Sequence, residues 1–115
     1  TCDLPIPHLS FLALGLSCTS NSSPQGILDK NLMVSILVDI QLTEGKVSSL
    51  PVTYDSSQVL YTLMEKDIFS KHGVTDSVFI TSMEYYLEDA EKMDRMYARV
   101  IDSLVVLESN SKLTK

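Results

Sequence analysis

The stretch Asn31–Glu44, NLMVSILVDIQLTE, decides how the rest of this chain must be arranged. Wound as an α-helix, it sets Leu32, Met33, Ile36, Leu37 and Ile40 on one broad stripe, while Val34, Val38 and Leu42 cover much of the opposite side. A helix that is apolar nearly all round cannot lie on a surface; it needs neighbours on several sides. Asp29, just ahead, is placed to cap it by accepting hydrogen bonds from the free amides of its first turn. Gly45 interrupts the pattern, but Val47 and Leu50 keep the helical phase until Pro51 stops it.

Three later segments can supply the neighbours. A second helix is expected from Asp55, read as its N-cap, with Gln58 three residues on as in a capping box. Its buried stripe would be Leu60, Tyr61, Leu63, Met64 and Ile68. Lys71 and His72 fall in its last turn, where cations suit the negative end of the helix dipole, and Gly73 is placed for a left-handed stop. Thr75 caps a third helix with Phe79, Ile80, Met83, Tyr86 and Leu87 at core spacing. Asp89 caps a fourth, whose stripe runs Met93, Met96, Tyr97, Val100, Ile101, Leu104 and Leu107, so that Leu104→Asp is expected to be among the most damaging changes. Ser109–Lys115 loses the pattern and reads as a disordered tail. The expected fold is therefore all-α, a small bundle of about four amphipathic helices over residues 27–108.

The N-terminal part reads differently. Leu9–Ser17, LSFLALGLS, is too short to cross a bilayer, which takes roughly 20 apolar residues, and suits the apolar core of a secretory signal. Gly15-Leu16-Ser17 places small residues directly before Cys18, and Thr19–Ser23 is a polar linker. This resembles a bacterial lipoprotein signal, with residues 1–17 removed, Cys18 lipidated and residues 18–26 forming a disordered tether. Thr1–His8 carries no Lys or Arg where such a signal has its positive start. The alternative is an apolar arm packed on the domain, with Cys18 a small buried side chain. Under the lipoprotein reading, Thr19 after the cysteine, with no acidic run beyond it, implies the outer membrane, with the domain facing the periplasm.

Composition narrows the function. At 115 residues the chain holds one domain, and 44% hydrophobic with 21% charged residues lies in the globular range. A net charge of −6, with 9 basic residues scattered among 15 acidic ones, argues against nucleic acid as a partner. Cys2, Cys18, His8 and His72 are the only cysteines and histidines, too few and too scattered for a zinc site, and neither metal nor cofactor is expected.

Few side chains suggest a site. Glu44 falls in phase with Met33 and Leu37, and Asp39 lies near the stripe's edge beside Leu32; carboxylates on an apolar face must be paired, solvated or functional. Both are candidate ligand or partner contacts. His72 reads as a helix-end residue rather than a catalyst, since no nucleophile accompanies it in a recognisable pattern. Tyr85 is out of phase with the core and expected to face outward, a candidate for protein contact.

Four blocks carry a family resemblance: Leu32 to Glu44, Lys71-His72-Gly73-Val74-Thr75, Ser82-Met83-Glu84-Tyr85-Tyr86, and Met96-Tyr97 with Val100-Ile101. In these, over residues 27–107, the chain resembles the small helical lipoproteins of Bacteroidota catalogued only as a domain of unknown function. The resemblance implies an envelope location and no established activity, and brings no catalytic residue. The expectation is a non-enzymatic binding or accessory module, held to the membrane by a lipid anchor and partnered by another envelope protein. Two alternatives stand beside it: a chaperone-like helical module binding unfolded or envelope proteins, and a small enzyme or ligand-binding protein in which Asp39 and Glu44 converge on one concave site.

Overall fold

A computed structural model describes residues 24–113. The described chain opens with a turn, in which Ile27 N–H donates to the Pro24 carbonyl at 3.1 Å and Gly26 takes a φ of 84°. Four helices follow: α1 (Lys30–Ser48), α2 (Tyr54–His72), α3 (Asp76–Leu87) and α4 (Ala90–Leu113). No strand occurs among the described residues.

The central position expected of Asn31–Glu44 is what α1 occupies. Met33, Val34, Leu37 and Val38 face Tyr86 of α3 and Met93, Met96 and Val100 of α4. Ile36, flanked by Leu32 and Ile40, faces Ile68 and Phe69 of α2. Each side of α1 thus buries its apolar surface against a different neighbour, which is how a helix apolar nearly all round escapes water. Asp29 caps it as expected, accepting from Leu32 N–H at 2.8 Å. The helix runs through Gly45 to Ser48.

A short connection turns the chain back, so α2 lies antiparallel to α1. Its N-cap is Thr53, not Asp55: the Thr53 hydroxyl accepts from Ser56 N–H at 3.2 Å. Asp55 sits in the first turn, where its charge still favours the positive end of the helix. Gly73 closes α2 at φ 71°, a left-handed conformation that glycine adopts without the Cβ clash, and Val74 N–H reaches back to the Phe69 carbonyl at 2.9 Å. The buried stripe is shorter than the expected one. Ile68 is buried with Phe69, Leu60, Tyr61 and Met64 are partly buried, and Leu63 is exposed.

Helix α3 is capped by Thr75, as expected, and passes beneath the start of α1. There Leu28, not yet helical, needs partners for both its backbone groups. Fully buried Ser82 accepts from Leu28 N–H at 2.9 Å and donates to the Val78 carbonyl at 2.8 Å. Tyr86 donates its hydroxyl to the Leu28 carbonyl at 2.6 Å. Phe79 completes the junction, with its ring centroid 5.0 Å from that of Phe69.

Helix α4 runs beside α1 in the same direction: Arg99 donates to Asn31 near the start of α1, and Ser103 lies beside Val34 and Val38 further along. Asp89 caps it, accepting from the amides of Glu91 and Lys92. Met93, Met96 and Val100 are buried, Tyr97 and Leu104 partly so. Ile101 and Leu107 are exposed, as are Ile80 and Leu87 of α3, in contrast to the expected stripes. The core-facing side of each helix is narrower than the expected stripe: Met83 and Tyr86 beyond Ile80, and Leu104 beyond Ile101, still pack in the core, so Ile80 and Ile101 are exposed by their position around the helix. Nor does a tail begin at Ser109, because α4 continues to Leu113.

Candidate functional site

One cluster of charged side chains draws on elements far apart in the chain. Asp39, in the middle of α1, receives two hydrogen bonds on the same carboxylate oxygen: Lys71 Nζ at 3.0 Å and His72 Nε2 at 2.8 Å. Helical side chains lean toward their own N-terminus, so on antiparallel helices Asp39 leans toward the end of α2 while Lys71 and His72 lean toward the middle of α1. The side chains of Asp39 and His72 are 22% and 15% exposed, whereas Lys71 is 66% exposed, so the inner part of the clasp is sheltered and the outer part is wet.

Partial burial works against the Asp39 charge. The hydrogen bonds from His72 and Lys71, together with the positive charge those partners bring, outweigh that cost and hold the carboxyl below its ordinary range. The clasp borders a hollow of about 300 Å³ that is also lined by Val34, Ser35 and Val38 of α1 and Ser103 of α4. A carboxylate, an imidazole and two hydroxyls therefore share one concavity. Among the described residues no hydrogen bond links either serine to His72, and Asp39 is shared between His72 and Lys71 in an ion-pair clasp.

Asp39 is thus the sequence-derived candidate that the structure places at a built site. Glu44 is not part of it: its side chain is exposed and does not line the hollow, so the two carboxylates do not converge. The phase of Glu44 is core-like, yet its side chain is left in water although Val47, further along the helix, is buried. Tyr85 is not outward as expected. It is partly buried against the core, edge-on to Tyr86 at 5.0 Å between centroids, with Lys92 Nζ 5.5 Å from its ring centre. The tight corner between α3 and α4 accounts for this, because a side chain one position off the core phase falls into the angle between the two helices. Cys18 lies outside the described residues.

Sequence reasoning missed Lys71, His72 and Ser103 as neighbours of Asp39. The mark of a helix end was legible at Lys71-His72-Gly73, but the acid those cations meet is set by how α1 and α2 pack. A second hollow, about 420 Å³, opens beside Phe69 between α2 and the start of α3; Glu65, Lys66 and Asp76 give its rim both signs of charge. Among the described residues no group of acids, histidines and cysteines could hold a metal ion, and no helix is long and apolar enough to cross a membrane.

The class that these features define is a small four-helix domain with a central apolar helix and a charged clasp between its first two helices. The chain belongs to the family described as a domain of unknown function (DUF4296), whose model matches residues 24–110. No curated protein and no solved structure matches it.

Proposed function

We propose that this protein is a lipid-anchored accessory module of the bacterial cell envelope, tethered through Cys18 to the periplasmic face of the outer membrane and binding another envelope protein without catalysing a reaction. The observation that carries the reading is the sequence Gly15-Leu16-Ser17-Cys18 at the end of an apolar run and before the polar Thr19–Ser23. Its position supports the reading too, since the family match begins at residue 24, where the polar stretch ends. That is the arrangement of a tether followed by a folded domain. Within the domain, Asp39, Lys71 and His72 line one side of a shallow, largely polar hollow, suited to orienting a bound group.

The test is the intact mass of the protein extracted from membranes of its native host, beside a Cys18→Ala variant. The proposal expects a chain beginning at Cys18 and carrying acyl groups, with that mass and the membrane association lost in the variant. An unmodified, soluble chain retaining residues 1–17 would overturn it.

A chaperone-like module is the second reading, favoured by the exposure of Val59, Leu63, Val106 and Leu107. It expects the protein to suppress aggregation of an unfolded client at near-equimolar ratio.

A further inference from the structure

We propose that the outward face of α4 pairs two copies of this chain in an antiparallel dimer. The face consists of Asp94, Ala98, Ile101, Val105, Glu108 and Lys112, spaced alternately four and three residues apart. That spacing keeps six side chains on one line along about 27 Å of helix, the period of a coiled-coil seam. The seam is separate from the one that α4 buries: Met93, Met96 and Val100 face α1, whereas every member of the outward line is exposed, with Ile101 at 57% and Val105 at 55%. Val106 and Leu107 look elsewhere, into a hollow they form with Asp102 and Ser103, and take no part.

Charge selects the occupant and its direction. With a second α4 laid antiparallel and centred on Ser103, Ile101 meets Val105 of the other copy, Ala98 meets Glu108, and Asp94 meets Lys112, each pair occurring twice by the two-fold axis. Two aliphatic layers fill the centre and two ion pairs close the ends. Laid parallel, the same helices would set Asp94 on Asp94, Glu108 on Glu108 and Lys112 on Lys112, three like-charge layers. Antiparallel pairing also opposes the two helix dipoles. Lys112 already lies 3.7 Å from Glu108 on its own helix, so the second copy's Asp94 would complete a three-membered charge cluster at each end.

Sedimentation equilibrium on the full chain tests this. The expected result is a mass that rises with concentration to twice that of the monomer, and a Val105→Asp variant that stays monomeric with unchanged helicity. Asp94→Lys and Lys112→Asp should each weaken association about ten-fold, and the two together should restore it, because the swap rebuilds both ion pairs. Val106→Asp should leave association as it is. A monomer at every concentration, a dimer indifferent to Val105→Asp, or a double charge swap no tighter than its single parents would overturn the proposal; the second outcome also covers association driven by another part of the chain.

Discussion

The two ends of the bundle are built to different standards. At the end where α1 begins, Met33, Ile36, Tyr86, Met96 and Val100 are all at most 1% exposed, and even the non-helical Leu28 has both backbone groups bonded. At the other end Leu42, Val59, Leu63, Val105, Val106 and Leu107 stand in water at 37–60% exposure. The cause is length. Helix α3 has only 12 residues against 19 in α1 and 24 in α4, so it covers one end alone. Most of the fully buried side chains therefore lie where α3 packs on α1 and α4, Val47 near the end of α1 being the exception, and the end made by three helices is left with apolar surface that can serve contact.

The sharpest way to break that contrast is to place the same acid at each end. Val100→Asp would bury a carboxylate with no partner, and should cost upward of about 4 kcal/mol, enough to abolish cooperative thermal unfolding by circular dichroism. It outranks Leu104→Asp, because Leu104 keeps some contact with water and lets an introduced charge reach it. A cavity is the next largest perturbation. Met96→Ala removes a fully buried side chain and should lower stability by about 2–4 kcal/mol in urea titrations, with no change in the slope of the transition.

Smaller effects sharpen the account of how α3 holds its end. Tyr86→Phe keeps the ring but leaves the Leu28 carbonyl without its hydroxyl partner, and should cost about 1–2 kcal/mol. Amide exchange at Ile27 and Leu28 should accelerate in that variant more than exchange in α2. If α2 is affected equally, the two ends are not independent.

The clasp at Asp39 supplies a pH dependence. Its carboxyl is held below the ordinary range in the folded chain, so the stability it contributes is fully present above the unfolded value of about 3.9 and is lost as pH falls through the folded one. An Asp39→Asn variant should therefore be less stable than the parent at neutral pH, by about 1 kcal/mol or less given the exposure of Lys71, and the gap should close in acid. The smallest change is expected at the open end. Val105→Asp, measured on dilute protein, should shift stability by no more than about 0.5 kcal/mol.

Much of this molecule could be read from residue order because helix ends are local events. Asp29, Gly73, Thr75 and Asp89 each satisfy or terminate a helix through groups only a few residues away, and all four act as their neighbours in sequence imply. Thr53 in place of Asp55 is the exception, two competent capping residues lying within one turn. The apolar circumference of α1 likewise announced neighbours on several sides. Burial was less legible, since periodicity marks a face and says nothing of how wide or how long a stretch a partner covers: Ile80 and Ile101 sit just off the covered face, and Leu63 and Leu107 have no cover. The candidate site was half visible. Asp39 stood out as an acid at the edge of an apolar stripe, but its engagement by Lys71 and His72 depends on the packing of α1 against α2, and Glu44, equally conspicuous, faces water.

Residue order by itself thus determined the helices, their caps and the central place of α1, because hydrogen bonds within a turn and the apolar phase of a helix are short-range properties. Only the tertiary structure decided which acid meets which cation, which stripes are covered and which stay open, since those depend on the relative lengths and crossing of helices that no local pattern encodes.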